Sequence, residues 1–184
     1  MKKSIGALYI LSLFLLTCAS SKTSRPELFT IEYKDPVIEG RKHIDSLRTY
    51  GVNEIIGYYL GCRDCIPGNH LSYYVFWHFN DIWFATKFTK TNRYKTINGY
   101  GPNSKIDSTF INTLSNNKLN KSNIIMSGYS YEEVKILVQN KELNYVLKYD
   151  EKKDNKHNEK VKFTDAMYAL IAIIPNEEWI AIDY

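Results

Sequence analysis

Residues 71–88 read LSYYVFWHFNDIWFATKF, and the alternation in this stretch decides the fold. Two runs rich in aromatic and β-branched residues flank Asn80-Asp81. Both turn residues tolerate positive φ better than most, so the stretch predicts a hairpin with a two-residue turn. In that register Phe79 faces Ile82, Trp77 faces Phe84, Val75 faces Thr86 and Tyr73 faces Phe88. These residues form one apolar face, which belongs on a core. The opposite face carries Tyr74, Phe76, His78, Trp83, Ala85 and Lys87. It is aromatic but mixed. Aromatic side chains offer much contact area for little entropy, so Tyr74, Phe76, His78 and Trp83 form a candidate binding surface.

The pattern on either side of the hairpin fits the same sheet. Glu54 to Leu60 predicts a strand. Val134, Ile136 and Val138 alternate with polar residues, as do Leu143, Tyr145, Leu147 and Tyr149. That period of two favours a second hairpin, turning near Asn140-Lys141, over one helix from 131 to 149. Asp35 as cap and Pro36 in the first turn open a helix that Gly51 ends. Val37, Ile44 and Leu47 fall on one side of it, and Gly40 weakens its middle. A second helix runs from Asp107 to Asn117, burying Phe110, Ile111 and Leu114. Residues 150–160 read as a charged loop. Thr164 then caps a third helix, Asp165 to Ile174, with Phe163 as its hydrophobic staple and Pro175 as its stop. Its apolar residues run nearly all round, so a central position is expected. Trp179 to Ile182 reads as a last strand. The sum is an α+β fold, a mainly antiparallel sheet built from hairpins with about three helices.

The chain has 184 residues, 44% of them hydrophobic and 24% charged, which suits one packed domain and excludes a disordered chain. A formal charge of +4, from 24 basic and 20 acidic residues, is too small and too scattered for a nucleic-acid partner.

The first residues carry an address. Lys2 and Lys3 precede an apolar run from Ile5 to Leu16. About twelve helical residues reach about 18 Å, short of a bilayer core of roughly 30 Å, so the run reads as a signal-peptide segment. It ends Leu15-Leu16-Thr17-Cys18. This resembles the lipobox of bacterial lipoproteins: Leu three before the cysteine, a small residue just before it, then Cys. Thr17 and Leu16 depart from the residues most usual there. The resemblance covers residues 1–18 and implies a diacylglycerol thioether on Cys18, cleavage after Thr17 and acylation of the new amino group. Two or three acyl chains bind a membrane stably where one is marginal. The domain limits that follow are signal peptide 1–17, lipidated N-terminus and polar tether 18–33, and one domain over 34–184. The hairpin pattern of that domain resembles small uncharacterised envelope lipoproteins of AT-rich bacteria, which carries no functional residue across.

Cys62-Arg63-Asp64-Cys65 lies between two predicted strands. In an exported chain the pair reads first as a structural disulfide. A thioredoxin-like pair would want Cys62 at a helix N-terminus, and no long helix starts there. A zinc site would want a fourth ligand beyond Cys62, Cys65 and His70. Glu132-Glu133 and Glu177-Glu178 read as solvated surface charges, His43 and His157 have no partner that spacing names, and His78 falls on the mixed hairpin face opposite Trp83. No HExxH, GxSxG, P-loop or dinucleotide motif occurs, and no catalytic residue, metal or cofactor is assigned.

The expectation is therefore a lipid-anchored protein of the cell envelope, on the inner or outer membrane with its domain outside the cytoplasm. It binds an envelope protein or glycan without catalysis. An envelope enzyme or thiol-redox factor using Cys62 and Cys65, and an immunity or inhibitor lipoprotein, are the alternatives. Cys18→Ser is expected to release the protein from the membrane to the soluble fraction and abolish incorporation of a fatty-acid analogue. Unlabelled wild-type protein in that metabolic experiment defeats the lipoprotein reading.

Overall fold

The computed structural model describes residues 34–62, 71–120, 130–182 and 184, with the backbone alone described at Cys62. The tether, Cys18, Cys65 and His70 lie outside these residues. Four helices and eight strands follow in the order α1 (Pro36–Thr49), β1 (Glu54–Cys62), β2 (Ser72–Phe79), β3 (Ile82–Phe88), β4 (Arg93–Tyr94), β5 (Ile97–Asn98), α2 (Ser108–Asn116), β6 (Ser130–Val138), β7 (Lys141–Lys148), α3 (Tyr149–Asp154), α4 (Glu159–Ile173) and β8 (Ala181–Ile182). All strands join one sheet in the order β7-β6-β1-β2-β3-β4-β8, with β5 pairing to β3 beside β4. Every pairing is antiparallel. The fold is α+β, with a mainly antiparallel sheet.

The central hairpin has the register its sequence predicts, from Phe79↔Ile82 to Tyr73↔Phe88. Asn80 and Asp81 take φ of 51° and 62°, the conformation a tight hairpin turn requires. The second hairpin turns one residue earlier than expected, at Gln139-Asn140, because Val138 pairs with Lys141. The two-residue β4 and β5 have too little alternation to be read from sequence.

Both faces of the sheet are covered. On one, α1 packs Ile44 and Leu47 over Ile55, Tyr59, Tyr73, Val75, Trp77 and Phe88. On the other, α2 and α4 bring Ile111, Leu114, Val161, Phe163 and Met167 over Ile56, Phe76, Val134, Ile136 and Leu147. Adjacent residues of β1 therefore point into separate cores, and Ile55 and Ile56 are both fully buried. The sequence already contains this in the unbroken apolar run Ile55-Ile56-Gly57-Tyr58-Tyr59-Leu60.

The helix ends follow local chemistry. Asp35 accepts the Val37 N–H at 2.8 Å. Gly51, at φ 79°, donates to Arg48 O while Val52 donates to Leu47 O, closing α1 as a Schellman cap. Asp107 accepts the N–H groups of Thr109 and Phe110 at 2.9 Å each. Gly40 has a packing role the helix propensity hides: a Cβ there would lie 2.2 Å from Cδ1 of Tyr73.

The C-terminal helix needs correction. It is capped by Asn158, whose side chain accepts the Lys160 N–H, and it begins six residues before the expected start at Asp165. Thr164 lies inside it, with its hydroxyl donating to Lys160 O. Phe163 is no staple but packs edge-on against Phe110 at 5.1 Å. The expected loop at 150–160 contains α3. Nor is α4 central: it forms an outer layer, with Tyr168 and Ile173 exposed.

Phe76 and Trp77 are neighbours in sequence with rings in opposite cores. Phe76→Ala and Trp77→Ala are each expected to cost about 3–5 kcal/mol in denaturant melts, a large share of a typical domain's stability. Phe79→Ala, at the exposed hairpin tip, is expected to stay within about 0.5 kcal/mol of wild type. A collapse confined to one of the two core variants overturns the double-sided core.

Candidate functional site

One rung of the sheet gathers the polar chemistry of the α2/α4 face. Val134 pairs with Tyr58, Tyr58 with Tyr74, and Tyr74 with Lys87, so these four lie in line across β6, β1, β2 and β3. Glu132 stands two residues from Val134 on the same strand face. The Tyr58 and Tyr74 rings are 6.4 Å apart, and both hydroxyls have raised pKa values, chiefly through burial.

The Glu132 end is closed on itself. The Tyr58 hydroxyl donates to Oε1 at 2.5 Å, and Nζ of Lys152 donates to Oε2 at 2.6 Å. The same ammonium reaches Asp165 Oδ1 at 2.6 Å. Burial lowers the Lys152 pKa, but its bonds to Asp165 and Glu132 outweigh that and raise it overall. The cluster ties α3 and α4 to the sheet. Glu132 is thus buried and fully paired, contrary to a solvated reading, while its neighbour Glu133 points to the other side and binds Arg41 at 2.7 Å. Glu177 and Glu178 are exposed as expected.

The Lys87 end is open. Its ammonium lies 4.9 Å from the ring centre of Tyr94, 5.8 Å from that of Tyr74 and 5.9 Å from that of Trp179. Tyr74 and Trp179 meet edge to face at 5.8 Å, and Tyr94 and Trp179 at 6.3 Å. The short β4–β8 pairing and the Lys95 N–H bond to Ile180 O bring Tyr94 and Trp179 together. Among the described residues no carboxylate pairs with Lys87. Burial pushes its pKa down. Cation–π attraction offsets part of the lost hydration and leaves the charge without an anion.

The surface expected from the hairpin is only partly a surface. Tyr74 and Phe76 are 8% and 0% exposed, because α4 and the Trp179 segment cover that face. Tyr58, Tyr59 and Tyr73 are buried as well. His78 and Trp83 remain half-buried at the far end of the hairpin. Their rings stack at 5.1 Å, and His78 Nδ1 lies 2.7 Å from Glu54 Oε2. Gly101 closes over Trp83, where a Cβ would stand 2.0 Å from Cγ. The structure therefore separates His78 and Trp83 from the Lys87 cluster. Lys87 was visible in the sequence as the one charge on the mixed face, but Tyr94 and Trp179 carry no local signal linking them to it. Among the described residues no three His, Cys, Asp or Glu side chains converge as a metal would require.

His43 also has a place the sequence did not give it. Its ring packs 5.2 Å from Trp77 and 5.6 Å from Phe88, and Nε2 is buried without a hydrogen-bond partner. Burial, aided by the charge of Arg93, lowers its pKa from 6.5 to about 4. The unfolded chain binds this proton more readily than the folded one, so stability is complete above about pH 6.5 and falls as the pH drops towards 4. The expected slope is up to about 1.4 kcal/mol per pH unit in that window. Denaturant melts across it should show the slope in wild type and lose it in His43→Leu.

No protein-family model, curated protein or solved structure matches the chain.

Proposed function

We propose that this protein is a lipid-anchored lipoprotein of the bacterial cell envelope whose domain is a non-catalytic binding module. The anchor reading rests on Lys2-Lys3, the short apolar run and Leu15-Leu16-Thr17-Cys18. The binding reading rests on one observation above all: the Lys87 ammonium, half-buried among Tyr74, Tyr94 and Trp179, has no carboxylate beside it among the described residues. An ammonium held out of water gains most from an anion arriving at its open side. Three acid–base groups elsewhere, Glu132, His78 and His43, favour binding over catalysis because they are engaged in packing. Glu132 has both oxygens occupied, His78 is held by Glu54 and Trp83, and His43 is wedged between two rings. The tether from 18 to 33 would let the domain present this surface away from the lipid.

A photoreactive amino acid in place of Tyr94, in the full-length protein in intact cells, tests this reading. A light-dependent adduct is expected in the membrane fraction, weakened at least about fivefold when Lys87→Met is added. No adduct, or an adduct indifferent to Lys87, defeats the proposal that this surface binds.

A further inference from the structure

We infer that the Lys87 cluster takes an oxyanion, a carboxylate or a phosphate, carried on a sugar ring. This rests on the binding reading above and names its ligand class. The oxyanion follows from charge. One ammonium stands among three rings, and among the described residues no acidic side chain makes an ion pair with it, Glu177 and Glu178 of the Trp179 segment being exposed. A single cation matches a single oxyanion.

The sugar follows from the walls. Tyr94 is half-buried, so part of its ring faces outward beside Lys87. A flat ring ending in a hydroxyl beside an ammonium suits a ligand that is apolar on one face and hydroxylated at its edge. A strand of acidic residues would need a row of cations instead. The surroundings here supply rings, and Lys152 of α3, at the Glu132 end, is already held by Glu132 and Asp165.

The test uses the full-length protein in detergent micelles with its lysines carrying ¹³C-methyl labels, which preserve the charge, and Lys87→Met to assign the Lys87 signal. Glucuronate, glucose 6-phosphate, glucose, inorganic phosphate and a hexaglutamate peptide are titrated in turn. Glucuronate or glucose 6-phosphate is expected to shift the Lys87 signal saturably, raise its titration midpoint, and bind at least about tenfold more tightly than the other three probes. Which of the two binds distinguishes a sugar acid from a sugar phosphate. Lys87→Met should lose this binding at least about tenfold while its melting temperature holds or rises, because an unpaired half-buried charge is removed.

Glucose binding as tightly as its charged forms overturns the oxyanion. Free phosphate binding as tightly overturns the sugar, and tighter binding of the peptide replaces it with an acidic polypeptide. If both sugar oxyanions leave the Lys87 signal unmoved while the Lys87-dependent adduct forms in cells, the ligand class is wrong and the binding reading survives.

Discussion

A single antiparallel sheet buried on both faces governs the rest of the molecule. Once β1 sits between β2 and β6, its alternate residues must enter two different cores, one under α1 and one under α2 and α4. An apolar strand run such as Ile55 to Leu60 is stable only when both sides are removed from water. That requirement explains why α1 precedes the sheet, why the last helix returns across it, and why tyrosine is so abundant. Tyr58, Tyr73 and Tyr74 fill core volume, and the Tyr58 hydroxyl finds its partner in Glu132.

Burying the sheet also decides what happens to charge. Glu132 would carry a large desolvation penalty alone, and Tyr58 and Lys152 each supply a hydrogen bond that offsets it. The same arrangement fastens two helices to the sheet. At the other end of the rung Lys87 has rings for neighbours and, among the described residues, no anion. The contrast between these two ends singles out Lys87. A polar group satisfied inside the chain has nothing left to recognise, whereas one held in place and left unpaired does.

Much of the fold is legible in residues near one another. The turn at Asn80-Asp81, with both residues at positive φ, fixes the pairing of Trp77 with Phe84 and His78 with Trp83. Asp35-Pro36, Gly51 and Asp107 mark helix ends through bonds to backbone groups a few residues away. The C-terminal helix was harder. Asn158 and Thr164 are both acceptable caps, and only packing of Val161 and Phe163 into the core selects the earlier one.

The sequence by itself determined the two hairpins, the register of the central one and the first two helices, and its N-terminal pattern is the whole basis of the lipoprotein reading. These features depend on local conformational preference and on spacing along the chain. The tertiary structure alone decided that the Tyr74–Phe76 face is interior, that Glu132 is buried and paired, and that Lys87 meets Tyr94 and Trp179. Tyr94 and Trp179 are separated by most of the second half of the chain, and β4 and β8 are too short to announce their pairing. Alternation can say that a strand has two faces. Whether the second face meets water or a helix depends on where distant segments pack, and that choice made one lysine a candidate site and turned two expected surface aromatics into core.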